Sequence, residues 1–269
     1  MLEIERRPEY LSPSSIISYI LMPHTAYLER LAVPKQKVSL IGPGALKGSY
    51  FDCFVKSELF SISAEAPNLG EYAHLTADEV KEVRYQATRV FNNYKQIESY
   101  KSLTLKNGTD VKFDLGDVPI YARLDATAIV QSAESLTETL GVPFDWKVFA
   151  GSPTPGYQKR WVGQNMTEYS GLPIEQVKFQ WALQGCIYGW ALGWPVGVKP
   201  IPVIFECLNQ QDALSVSRYE SSVGVDFQNA LFGKIQRLWT SIQDGSYVEC
   251  LGALNKFDCL EKAKKETWF

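Results

Sequence analysis

Between Val118 and Phe149 two apolar runs each carry an aspartate: Pro119-Ile120-Tyr121-Ala122-Arg123-Leu124-Asp125-Ala126, then Pro143-Phe144-Asp145-Trp146-Lys147-Val148. Apolar runs of this kind, bounded by turn residues, read as strands. A carboxylate inside one is costly to bury unless it meets a cation or a metal. Side chains alternate along a strand, so Asp145 and Lys147 share one face and Trp146 takes the other. By the same alternation Arg123 shares the face of Asp125, where it could pair with an acid or touch a phosphate. Pro173 then opens a helix through Leu192. Gln180, Gln184 and Tyr188 fall four apart on it and form a polar stripe among Val177, Trp181, Ile187 and Ala191. Such a stripe on an otherwise apolar helix must find partners or water.

Two carboxylates on neighbouring strands, with a lysine two residues past the second, suit a divalent cation facing a phosphodiester. Mg²⁺ takes hard oxygen ligands and keeps several waters, so one or two carboxylates plus substrate oxygens suffice. The ammonium beside it can orient an attacking water or offset charge on the phosphate. An acid two before a lysine is common in itself, and Glu79/Lys81 and Asp110/Lys112 also fit. Glu79 lies near the start of a helical segment, however, and Asp110 follows Asn107-Gly108, a hairpin signal. Asp145 alone ends an apolar run, follows a strand-borne Asp125 and precedes an amphipathic helix.

The rest of the chain supports an α/β arrangement. Ser12 or Ser14 caps a helix with Ile16, Ile17, Ile20 and Leu21 in register, interrupted by Pro23. Gly42-Pro43-Gly44 reads as a turn, and Gly48 to Phe60 as a helix burying Phe51, Val55 and Leu59, with Asp52 on a neighbouring face. Thr76 and Glu79 form a capping box before a helix whose stripe runs from Val80 to Ile97. Leu103 to Phe113 reads as a hairpin, Gly141 to Phe149 as a strand, and Ile201 to Leu208 and Leu214 to Tyr219 as two more. A last helix with Phe227, Leu231, Ile235, Leu238 and Ile242 ends at Gly245. Residues 151–172 form a long loop with a basic aromatic centre, Tyr157-Gln158-Lys159-Arg160-Trp161, which suits either a single nucleic-acid strand or an ordinary surface loop.

With 45% hydrophobic residues the 269-residue chain can pack a core, and its net charge of -3 disfavours a general polyanion binder while leaving room for a local basic groove. Five cysteines without metal-type pairing suggest thiols in a reducing compartment. With neither a signal-like leader nor a membrane-length apolar run, the expected compartment is the cytoplasm. His24 and His74 stand alone, no nucleophile turn occurs, and no Gly-Lys-Ser/Thr loop supports an ATP site.

The series Asp125, Asp145, Lys147, followed by Gln184-Gly185-Cys186-Ile187-Tyr188, resembles the signature of the PD-(D/E)XK nuclease superfamily, whose RecB-type branch adds a Gln-x-x-x-Tyr motif. Leu11-Ser12-Pro13-Ser14-Ser15-Ile16 with Tyr19 and Met22-Pro23 resembles that branch's N-terminal helix, and Gly48-Ser49-Tyr50-Phe51-Asp52 its Gly-x-x-x-His motif. The resemblance implies a restriction-endonuclease-like α/β core, a mixed sheet flanked by helices with N-terminal helical additions, in one domain over 1–269 with its core about 45–245. It implies a deoxyribonuclease using Mg²⁺ or Mn²⁺, an exonuclease of recombination, repair or phage DNA metabolism in a bacterial or phage-infected cell. Asp125, Asp145 and the Trp146 carbonyl would hold the metal, with Asp52 completing the set. Lys147 would assist the water, and Gln184, Tyr188 and Arg123 would hold single- or double-stranded DNA. A helicase or recombination protein is an implied partner, and a membrane is not.

Two residues depart from the family pattern. Asp52 stands where the family has a metal-binding histidine. Met22 stands where an early cluster cysteine would be, and Cys250 and Cys259 lack the late cluster spacing, so no iron-sulfur cluster is expected. The rival reading keeps the fold without the chemistry: a catalytically inactive nucleic-acid-binding or protein-interaction module. Within enzymes, an endonuclease is the alternative.

Overall fold

The computed structural model describes residues 7–32, 35, 41–101, 103–129, 140–149, 159–162, 165–168, 174, 178–209 and 215–247. Expectations for Tyr157, Gln158, Cys250 and Cys259, and for the side chains of Lys159 to Trp161, lie outside these residues. Helices α1 (Pro13–Leu21) and α2 (Pro23–Ala26), a π-helical turn (Tyr27–Leu31), α3 (Pro43–Phe60), α4 (Ala77–Tyr94) and the short α5 (Glu98–Lys101) precede the first strand. Strands β1 (Leu105–Asn107), β2 (Asp110–Leu115), β3 (Val118–Arg123), β4 (Ala126–Ile129), β5 (Gly141–Phe149), β6 (Lys159–Val162) and β7 (Asn165–Glu168) follow. Helix α6 (Phe179–Ala191), strands β8 (Ile201–Asn209) and β9 (Ser215–Val223) and helix α7 (Val225–Asp244) complete the order.

Seven strands form one sheet in the order β1-β4-β5-β8-β9-β6-β7, and β2-β3 form a separate ribbon. The sheet is mixed. β5 and β8 run parallel, joined through α6, while the β4-β5 and β8-β9 neighbours are antiparallel. The protein is therefore an α/β fold with a mixed sheet between helices. Odd-numbered residues of β8, among them Ile201, Val203 and Phe205, face α1, α6 and α7. Phe144, Trp146 and Leu208 face α3 and α4 on the other side, with Phe51, Val55, Phe91 and Tyr94.

Local chemistry explains most of the elements. Ser12 and Thr76 each cap a helix through reciprocal side-chain and backbone bonds with the residue three on. Gly245, at φ 89°, closes α7 in the left-handed region. Pro23 starts α2 at its first position, the one place where a missing N–H costs nothing.

Several expectations need correction. Gly42-Pro43-Gly44 is not a free turn: Gly42 caps α3 and Pro43 is its first residue. Lys178 is extended, so the helix carrying Gln184 begins at Phe179 rather than Pro173. Part of the expected long loop forms β6 and β7, which extend the sheet from β9.

Asn107-Gly108 is not a hairpin tip. β1 pairs with β4 and β2 with β3, so this dipeptide carries the chain from the sheet to the ribbon. It lies directly on the bend between β3 and β4: the Gly108 N–H donates to the Asp125 carbonyl at 3.2 Å, and the Leu124 N–H to the Thr109 carbonyl at 3.2 Å. A β-carbon at Gly108 would fall 1.9 Å from the Leu124 carbonyl oxygen. Glycine is required by that approach, not by a turn type.

On the α3/α4 side a polar group is fully enclosed. Glu206, with no exposed surface, accepts from Arg218 at 2.7 Å and 3.0 Å and from the Tyr94 hydroxyl, which itself accepts from the Trp146 indole N–H at 3.1 Å. Burial, helped by the Glu206 charge, pushes Tyr94 well above the ordinary tyrosine value and keeps it a donor.

Two stability outcomes are expected in urea melts. Gly108→Ala costs about 1–3 kcal/mol, because backbone must move to admit the methyl group. Arg218→Met costs about 3–5 kcal/mol by leaving Glu206 buried and unpaired, and adding Glu206→Gln recovers much of that loss.

Candidate active site

The ladder between β4 and β5 ends at the Ala126–Phe144 pair. Beyond it the chains part, and the next residue on each side is an aspartate. Asp125 sits in the bend after β3, not on the strand itself, while Asp145 and Lys147 lie on β5. Antiparallel partners present their side chains to the same face, so Asp125 and Asp145 meet across the gap and share a hydrogen bond. The Trp146 carbonyl belongs to the same stretch of β5 past its β4 ladder.

Lys147 forms an ion pair with Asp145 Oδ2 and donates to Gln184 Oε1 at 2.9 Å. That carboxylate oxygen is fully enclosed and, apart from the ion pair, makes no hydrogen bond. Gln184 donates through Nε2 to the Tyr188 hydroxyl at 3.0 Å. α6 can hold these two side chains so low because glycines face the sheet: β-carbons at Gly185 and Gly189 would lie 2.7 Å from Val203 and 2.3 Å from Ile201. The Tyr188 ring packs on Ala122 and Leu124, just ahead of Asp125.

From α3, Lys56 reaches both Asp52 Oδ2 and Asp125 Oδ1 at 2.8 Å. The sequence reading missed Lys56. Its signal was present: Asp52 and Lys56 are four apart on a segment expected to be helical, the spacing of a side-chain ion pair. Asp52 thus joins the group through Lys56, with 37% of its side chain exposed. Arg123 does not join it. Its side chain is 64% exposed and donates to Asp110 at 3.0 Å across the β2-β3 ribbon.

Burial, together with the Asp125 charge and the shared hydrogen bond, pushes Asp145 up to about 8 against the pull of Lys147. Burial also acts on Asp125, but Lys56, the bond with Asp145 and Lys147 outweigh it and hold that carboxyl below its usual value. The pair therefore takes up a proton more readily than an ordinary carboxylate, and the balance favours Asp145 as its carrier. Burial and Asp125 raise Asp52 to about 6, a shift that water at its exposed rim partly screens. Burial disfavours both ammonium groups, yet Asp145 and Asp125 at Lys147, and Asp125 and Asp52 at Lys56, more than offset it. Tyr188, pushed up by burial and then by the charges of Asp125 and Asp145, remains a neutral hydroxyl.

A divalent cation fits part of this donor set. Two carboxylates in contact, one with an enclosed oxygen lacking a hydrogen bond, are where a cation would replace the shared proton. Asp52 is held off by the ammonium between it and Asp125. Among the described residues no three Asp, Glu, His or Cys side chains converge as a ready metal cage. The fit is to Asp125 and Asp145 with water, and Asp52 could join only after Lys56 moves.

The fold and site define an α/β protein with an acidic pair where β4 and β5 part, one lysine from β5 and a second from α3. Neither a protein-family model nor a curated protein matches the chain. The crystal structure of SSO0001 aligns with 90% of this chain and 86% of its own at 12% identity and a TM-score of 0.33. That likeness adds nothing to the geometry. No helix among the described residues is long and apolar enough to cross a membrane.

The raised Asp145 value sets a pH dependence. Its folded pKa of about 8 exceeds the unfolded value near 3.9, so its contribution is full below the lower figure and lost as pH rises toward the higher. Asp125 is ionised in both states above about pH 5 and adds no slope there. In EDTA, the stability of the wild type relative to Asp145→Asn should therefore fall from pH 5 to pH 8. A pH-independent difference in denaturant melts would contradict the assignment.

Proposed function

We propose that the protein is a divalent-metal-dependent deoxyribonuclease that hydrolyses DNA phosphodiester bonds, with an exonuclease role in recombination, repair or phage DNA metabolism. The observation that carries the reading is the contact of Asp125 with Asp145 beside Lys147, at the point where β4 and β5 separate. Mg²⁺ or Mn²⁺ bound by Asp125, Asp145 and the Trp146 carbonyl would supply Lewis-acid stabilisation of phosphoryl oxygens and a water of lowered pKa.

The protein's own groups have separable tasks in this reading. Lys147, fixed between Asp145 and Gln184, keeps a positive charge beside the reacting phosphate and orients the attacking water. Gln184 sets the direction of that ammonium and is itself set by Tyr188. The Tyr188 hydroxyl accepts from Gln184, and its own hydrogen is left to donate to a phosphate oxygen. Lys56, once released from the carboxylates, is a second cation within reach of substrate.

Lys56 also favours the second reading, a nuclease-like module that binds nucleic acid without cutting it. An ammonium between Asp52 and Asp125 already satisfies part of the site without a metal.

End-labelled linear and circular DNA, single- and double-stranded, separates the two readings when incubated with Mg²⁺, Mn²⁺ or EDTA. Metal-dependent cleavage is expected, falling by about 10²-fold or more in both Asp145→Asn and Lys147→Ala. Sparing of circles identifies an exonuclease. A folded wild type that binds DNA and leaves every substrate intact sinks the catalytic reading in favour of the binding module.

A further inference from the structure

A second feature lies at the far end of β3. The N-terminal arm, α1 and the π-helical turn border an open cavity of about 430 Å³ lined by Arg7, Glu9, Tyr10, Tyr19, Arg30 and Lys35. Three cations face one carboxylate there, and none of the three has a salt bridge among the described residues. Glu9 on the wall and Asp244, which interacts electrostatically with Arg7, offset part of this charge, and the excess of cations that remains suits an anion.

The cavity is connected to the acidic pair by β3 and the bend that follows it. Leu11, on its wall, bridges to β3, with its N–H donating to the Pro119 carbonyl and its own carbonyl accepting from the Tyr121 N–H, both at 2.9 Å. From Ile120 the chain runs five residues to Asp125, roughly 15 Å at the usual strand rise. The outer face of the ribbon along this path carries alternating rings and cations. Tyr10, 43% exposed, packs edge-on against Tyr121 at 5.2 Å, Lys112 lies over the Tyr121 ring at 5.9 Å, and Arg123 projects beyond, its charge partly offset by Asp110. Aromatic faces between cations are what an unpaired nucleic-acid strand needs, stacking for its bases and charge for its phosphates.

We propose that this cavity is the distal anchor for a single DNA strand, with Arg7, Arg30 and Lys35 holding its phosphates while the strand follows the Tyr10-Tyr121-Arg123 face of β3 to Asp125. The proposal rests on the nuclease reading for what happens at Asp125 and adds where the strand is held a few nucleotides away. Duplex is disfavoured, because paired bases cannot stack on Tyr10 and Tyr121.

Fluorescence anisotropy with a fluorescein-labelled single strand of about 20 nucleotides in EDTA tests it, since that length covers known single-strand site sizes and no metal-dependent cleavage can occur. Arg7→Glu/Arg30→Glu should weaken binding at least tenfold and reduce the salt slope by about 1.4, or about 0.7 for each phosphate no longer neutralised. Lys81→Glu/Arg89→Glu, an equal charge change on exposed positions of α4, should leave affinity within twofold. Equal weakening by both pairs, no weakening by the first, or a blunt duplex bound as tightly as the single strand would each overturn the proposal. Thermal melts confirm that both variants are folded. A wild type that binds in this Arg-dependent way but never cuts leaves the anchor standing and removes the nuclease reading; one that cuts without needing Arg7 and Arg30 does the reverse.

Discussion

Two carboxylates cannot share a buried corner unless positive charge or a proton is supplied with them, and the pair Asp125 and Asp145 receives both. Lys147 comes from the same strand as Asp145 and Lys56 from a helix on the opposite side of the sheet; because Lys56 is shared with Asp52, three carboxylates face two ammonium groups, and burial with the remaining negative charge favours the protonated form of Asp145. The surrounding elements are placed to make this corner possible. The β4-β5 ladder stops one residue short of it, the Gly108 strap pins the bend, and α6 lies low enough for Gln184 to reach the Lys147 ammonium.

Much of this was legible in the sequence because it obeys short-range periodicities. Alternation along β5 placed Asp145 and Lys147 together and Trp146 opposite, and the four-residue stripe on α6 placed Gln184 above Tyr188. What stayed hidden depended on chain segments far apart. The Lys56–Asp125 contact joins positions whose pairing no local pattern encodes, and the Glu206 group depends on α4 meeting β8. Asn107-Gly108 misled for a different reason: a glycine needed for close approach to another backbone looks, in sequence, the same as one needed for a turn. Arg123 pairs with an acid, one of its two expected roles, but that acid is Asp110, and the bend at Asp125 ends the strand alternation that would have set Arg123 and Asp125 on one face.

β5 carries polar chemistry on both faces. Asp145 and Lys147 serve the corner, while the Trp146 indole, between them, is tied through Tyr94 to Glu206 and Arg218. A strand anchored on its back face resists sliding along its neighbour, and a one-residue slip would exchange the two sets of side chains. The buried Glu206 group thus helps fix which residues reach the corner without touching it.

The two walls of the corner differ in how they could change over evolutionary time. α6 rests on β8 with Gly185 and Gly189 directly against the Val203 and Ile201 side chains, so the helix contributes no side chain of its own at these two contacts. Its height is set by backbone against side chain, so small substitutions cannot adjust it by degrees. α3 instead approaches through a long, substitutable side chain, Lys56. Drift in ligand preference would therefore be confined to one side of the cleft, with the α6 side serving as a fixed datum.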